Sequence, residues 1–162
     1  MREQDRRHSD SFWFTNDLKN MAFMFEYCDD FLYRRYKIRG LNKIKFLDTF
    51  MRSELRAIME AGDPCLSSQS AEDTFKVFIR EDYNNDPSLF LYKQGEKRRR
   101  FKEYQMYWVG EQYAYINQME DMSSKVLIDK LPIEFMLECY HLGYELSDDG
   151  FYRRIKWKLE ES

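Results

Sequence analysis

Proline and glycine are scarce, at three and six residues in a chain of 162. With so few breakers, and with apolar positions recurring every three or four residues, the pattern excludes a strand-and-turn protein and predicts an all-α class. Histidine is scarcer still. His8 lies in a polar tail, and His141 follows Tyr140 on a mostly apolar helix, where a partly buried structural role is the plainer reading than that of a base. No second histidine, cysteine or acid stands at zinc-ligand spacing. Cys28, Cys65 and Cys139 are odd in number and sit in or beside apolar segments, which excludes a disulfide framework and predicts reduced, mostly buried thiols. Gly-x-Ser-x-Gly is missing, as is any glycine-rich phosphate loop. Glu54, Glu60, Glu111 and Glu138 lack the Glu-x-x-His partners of a two-metal helical site. The expectation is a protein that is not an enzyme, with no cofactor and no metal. Long apolar runs are also missing: none approaches the roughly 18 residues of a membrane span. Met1–Asp10 is polar and mixed in charge, so a cytoplasmic protein without a membrane partner is expected.

Aromatic residues, by contrast, make up 17% of the chain, with 13 Phe, 12 Tyr and 3 Trp. That content is too rich in core-forming side chains for a disordered segment, even with 34% charged residues. The length suits a single domain, here an irregular bundle of about six or seven helices. Thr15 or Asn16 is placed to cap a first helix whose stripe Leu18, Met21, Phe25, Cys28 and Leu32 runs toward Gly40. Its apolar surface is broad enough to require cover on more than one side, by its own domain or by another chain. A second helix is predicted over 42–61, closed by Gly62-Asp63-Pro64. After the polar loop Ser67–Ser70, Ser70 with Asp73 resembles a capping box for a short helix through Phe75, Phe78 and Ile79. Residues 82–94 read as a loop. A long helix is predicted from about Lys97 to Glu120. Ser123 caps a short helix to Lys130, Pro132 opens another whose buried face is Ile133, Met136, Leu137, Tyr140 and Tyr144, and Ser147 opens the last, with Phe151, Ile155 and Leu159.

Net charge is only −3, yet the cations are segregated. Arg34, Arg35, Lys37, Arg39, Lys43 and Lys45 form a run with no acid among them, Lys97–Arg100 with Lys102 a second, and Arg153, Arg154, Lys156 and Lys158 a third. Such segregation permits an anionic partner. Tyr33, Tyr36, Phe101 and Trp157 interleave with these runs, as stacking beside phosphate contacts would require, so nucleic acid is one reading. Solvated arginines at helix ends, and an acidic overall balance, speak against it.

The stretch Tyr107-Trp108-Val109-Gly110, with Tyr113 and Tyr115 beyond it, is read first as core and second as an exposed aromatic face for a protein partner. Together with Phe50-Met51-Arg52-Ser53-Glu54, Gly62-Asp63-Pro64, Ser70-Ala71-Glu72, Ser123-Ser124-Lys125, Leu131-Pro132 and Phe151–Ile155, it resembles a group of small bacterial helical proteins. Some of these stand as antitoxin components beside ADP-ribosyltransferase-like toxins. The resemblance covers about residues 41–158. It implies a helical scaffold over 41–162, with residues 1–40 as a tail and an added amphipathic helix. It also implies a regulator that occludes a protein partner, whether toxin, nuclease or other effector, of the kind found on mobile elements. In this chain Tyr144-Glu145-Leu146 replaces the group's Tyr-His-Glu. The expected contact residues are Tyr33, Arg34, Arg35, Tyr36, Arg98, Arg99, Arg100 and Tyr113, with homo-oligomerisation through the first helix compatible with either reading.

Overall fold

The computed structural model describes residues 11–63 and 69–161; His8, Cys65 and the Pro64–Ser68 stretch lie outside them. Among the described residues the chain is all-α, with eight α-helices, a single 3-10 turn and one isolated antiparallel bridge, Leu41 to Leu91. The helices are α1 (Ser11–Tyr36), α2 (Lys43–Met51), α3 (Glu54–Glu60), α4 (Ala71–Tyr83), α5 (Glu103–Glu120), α6 (Ser124–Lys130), α7 (Ile133–Gly143) and α8 (Asp148–Leu159). The 3-10 turn is Pro87–Phe90.

Local chemistry sets most boundaries. Asn42, Ser53, Ser70, Ser123 and Ser147 each sit in extended conformation and accept a hydrogen bond from a backbone N–H of the first turn. Ser53 divides the single helix expected over 42–61 into α2 and α3. Its Oγ accepts from Arg56 N while donating to the Phe50 carbonyl at 2.6 Å, which closes one helix and opens the next. Among the described residues the first helix already runs from Ser11, ahead of Thr15 and Asn16, and the Phe14 ring packs 6.0 Å from Tyr115. α5 starts at Glu103 rather than near Lys97. Five cations in the first turns would face the positive end of the helix dipole, and Lys97–Lys102 forms no helix. The expected loop at 82–94 contains the 3-10 turn, which carries Phe90 into the core.

The core is one cluster reaching every helix. α1 belongs to its centre, with Met21, Met24, Phe25 and Cys28 fully buried. Its most extensive pairing is with α5. Gly110 makes that pairing possible: a Cβ there would lie 2.3 Å from the Met21 carbonyl oxygen. Gly143 has a similar role on α7, where a Cβ would meet the Trp108 indole at 2.5 Å. Beside this crossing, Phe46, Phe50, Phe75, Phe78 and Phe90 interlock edge to face, with centroids 5.0–5.8 Å apart for the T-shaped pairs. On α7 only Ile133 and Met136 of the expected face are buried; Tyr144 is half exposed and His141 is exposed against Tyr140, because the helix shows its last turn to solvent.

One charged group is fully enclosed. Arg56 Nη1 and Nη2 donate to Asp17 Oδ1 and Oδ2 at 2.8 and 3.0 Å, Nη2 also donates to Asn117 Oδ1 at 3.0 Å, and Nε donates to Ser124 Oγ at 3.2 Å. Glu60 completes the network, accepting from both the backbone N–H and the hydroxyl of Ser124. Burial works against the Arg56 charge, but Asp17 and Glu60 outweigh it and hold the guanidinium protonated. The cluster ties α1, α3, α5 and α6 together.

Arg56→Met strands Asp17 in the interior and is expected to cost about 3–5 kcal/mol of stability, measured by urea denaturation. The double variant Asp17→Leu/Arg56→Met should recover much of that loss. Gly110→Ala is expected to lower stability by about 3 kcal/mol, the upper end for overpacking, with a matching fall in the thermal midpoint by circular dichroism.

Candidate functional site

The first two basic runs, far apart in sequence, meet on one surface. α1 ends with Tyr33-Arg34-Arg35-Tyr36, and the chain turns through Lys37 in left-handed conformation, whose N–H donates to the Tyr33 carbonyl at 2.8 Å. Gly40, also left-handed at φ 82°, accepts a hydrogen bond from Tyr92 N at 2.8 Å, and Asn42 N donates to the Phe90 carbonyl. These bonds flank the Leu41–Leu91 bridge and lay the 92–102 segment beside the end of α1. The Arg98 guanidinium then rests over Gly40, 3.2 Å from where a Cβ would stand. A side chain at position 40 would push it away.

Two tyrosines organise the cations. Arg39 lies over the Tyr33 ring at 4.5 Å and donates to its hydroxyl at 3.0 Å, with Lys37 at 5.7 Å from the same ring. Arg98 lies over Tyr92 at 5.6 Å, and the Tyr92 hydroxyl accepts from Arg99 N. Some charges of the runs are neutralised: Arg34 pairs with Glu72, Arg99 with Glu134 and Lys43 with Asp29. Arg35, Lys37, Arg39, Lys97, Arg98 and Arg100 form no ion pair among the described residues. The result is an exposed surface with a surplus of positive charge around Tyr33 and Tyr92, edged by Glu96 and Glu134 on the Tyr92 side.

The third run does not join it. Arg153 pairs with Asp149 on its own helix, Lys156 lies over Tyr152, and Lys158 packs over Phe135. The first two are local α8 contacts, and the third ties α8 to α7.

Of the expected contact residues, Tyr33, Arg34, Arg35 and Arg98–Arg100 are exposed, Tyr36 is half-buried against the core, and Tyr113 is misassigned. Tyr113 is completely buried, and its hydroxyl donates to the Leu131 carbonyl. It packs on Phe25 inside the α1–α5 pairing, where no partner reaches it. Arg39, Lys37, Tyr92 and Gly40 were not among the expected contacts. The signal for Gly40 lay in the sequence, as a glycine inside a basic run.

Reactive chemistry is sparse elsewhere. Burial pushes the Cys28 thiol up to about 12, so it is inert, and Cys139 is raised by the same cause. Among the described residues no group of three His, Cys, Asp or Glu is placed to hold a metal, and no helix is long and apolar enough to cross a membrane. One carboxyl titrates near neutrality: Glu111, raised to about 7 by partial burial and by Asp148 at the start of α8. Gln112 Nε2 holds Asp148 in place at 2.7 Å.

Comparison of the chain with protein-family models, with curated proteins and with solved structures gave no match.

Because Glu111 binds its proton more tightly folded than unfolded, stability is retained below about pH 4.5 and declines as pH rises through about 7. Glu111→Gln should remove that decline. At pH 8 the variant is expected to be about 1–2 kcal/mol more stable than the parent, a figure discounted for the half-exposed site, and near equal at pH 4. Thermal midpoints across pH check this.

Proposed function

We propose that this protein is a non-enzymatic binding regulator that seats an acidic surface of a partner protein on the surface around Tyr33 and Tyr92. The observation that carries the reading is the gathering of Lys37, Arg39, Lys97, Arg98 and Arg100, none ion-paired among the described residues, on a rigid frame set by Gly40 and the Leu41–Leu91 bridge. Keeping like charges together with fewer acids than cations among them lowers stability, and binding an anionic surface recovers it. Tyrosine and arginine are the side chains that most often dominate protein interfaces, and here each ring is held by a guanidinium before any partner arrives. The partner's active or substrate-binding face would be occluded by this preformed surface. The resemblance to antitoxin-like helical proteins fits such a role.

Nucleic acid remains the second reading, because aromatics do lie among the cations. It is less favoured on a specific point. Base stacking needs open ring faces, and one face of each of Tyr33 and Tyr92 is already taken by Arg39 and Arg98.

The test is recovery of the tagged full chain from its native host, compared with Arg39→Glu/Arg98→Glu. A stoichiometric acidic protein that resists nuclease treatment is expected with the parent chain and should be reduced at least about tenfold, roughly 1.4 kcal/mol, with the variant. Circular dichroism should show the variant folded. Nuclease-sensitive recovery, with oligonucleotide binding that falls steeply with salt, would move the assignment to nucleic acid. Full retention of the partner by the folded double variant would dismiss the surface.

A further inference from the structure

A second surface of opposite character lies on the outer face of α1. Phe23, Tyr27 and Phe31 follow one another at four-residue spacing, with ring centroids 6.2 and 6.1 Å apart, and Tyr107 of α5 meets the Phe23 ring edge-on at 5.9 Å. Phe23 is 41% exposed, unusual for a phenylalanine three turns inside a helix. The stripe forms one wall of an open groove of about 580 Å³, whose other wall is Ser70-Ala71-Glu72 at the start of α4 and whose far end is Arg34. From Phe23 to Arg34 the wall runs about 16 Å, the length of three helical turns.

The unpaired charge along and beside this groove is one-sided. Glu26 and Asp30 stand on α1 beside the aromatic stripe, and Glu103 comes in from α5. None of the three forms an ion pair among the described residues. The cations nearby are committed: Arg34 pairs with Glu72 and covers Phe31, and Lys43 pairs with Asp29 and donates to the Glu26 carbonyl. The Tyr27 phenol senses the acids directly. It is held above its ordinary pKa by a hydrogen bond to Glu26 first, and by the charges of Glu26, Glu103 and Asp30.

An apolar wall with an acidic rim selects its occupant. Acidic segments are repelled, and a purely apolar segment leaves the carboxylates unmatched. Aromatic rings beside carboxylates suit lysine and arginine on both counts, through the ring face and through ion pairing. We infer that this groove is a docking site for a basic amphipathic helix of a partner protein, apolar anchors on Phe23, Tyr27 and Phe31 and Lys or Arg over Glu26, Asp30 and Glu103. The site stands independently of the basic surface at the end of α1 and takes the opposite charge.

The experiment titrates the full chain into a labelled, designed Leu/Lys amphipathic helix and reads fluorescence anisotropy. The controls are a Leu/Glu helix with the same apolar face and a scrambled Leu/Lys peptide. Binding of the Leu/Lys helix is expected to be at least about tenfold tighter than either control. Phe23→Ser should weaken it about tenfold, and Glu26→Gln/Asp30→Asn/Glu103→Gln should erase the preference over the Leu/Glu helix. Leu142→Ser, at a remote and 82% exposed position, should leave it unchanged. The inference fails if the scrambled peptide binds as well, if Leu142→Ser and Phe23→Ser act alike, or if a folded Phe23→Ser binds undiminished.

Discussion

Everything on this molecule's surface is referred to one close approach, the passage of Met21 against Gly110. Helices normally keep their axes 8–10 Å apart because side chains intervene, and here one residue has none. α1 can therefore sink against α5 with its inner face wholly buried. Its outer face and its end then have fixed positions: the outer face becomes the aromatic stripe, and the end carries the cations. Two surfaces of opposite charge share one rigid helix, so neither shifts without the other.

The interior polar cluster sharpens that fixity. Apolar packing tolerates small slides of one helix along another, since dispersion contacts are numerous and weak. A bidentate guanidinium does not. Arg56 has its donors divided among α1, α5 and α6, and a displacement of any of these breaks a charge-assisted bond in a medium that cannot replace it. The residues that fill the core decide that the chain collapses; Asp17 and Arg56 decide the axial position of α1.

The helical class was legible because its signals are local. Few breakers, three-four spacing and capping serines need no knowledge of the rest of the chain, and Ser70, Ser123 and Ser147 cap where the sequence places them. The failures are those where a distant group decides. Ser53 is buried in an apolar pattern that continues through Leu47, Met51 and Leu55, so the pattern hides the break. Lys97–Lys102 has good helix formers, and their shared charge at a helix start explains why the helix begins after them. Tyr113 lies two residues from the half-buried Glu111 and Tyr115 on α5, and its burial depends on the close approach of α1 that Gly110 permits. Arg56 resembles any surface arginine until Asp17, 39 residues away, is brought to it. In the candidate site the α1 half could be read from sequence, whereas the pairing of Gly40 with Tyr92 and Arg98 is a product of the tertiary fold.

That pairing has a thermodynamic corollary. The surface around Tyr33 and Tyr92 is assembled from two stretches that touch only when α2, α4 and the turn at Pro87 have brought Phe90 home. The unfolded chain displays neither the geometry nor the held guanidinium groups. Whatever binds there recognises folded molecules alone, and by mass action it shifts the folding equilibrium of the entire domain, by about 2.7 kcal/mol at a hundredfold excess over its dissociation constant. Gly40, a residue with no side chain to offer a partner, thereby couples recognition to the integrity of a core it barely touches.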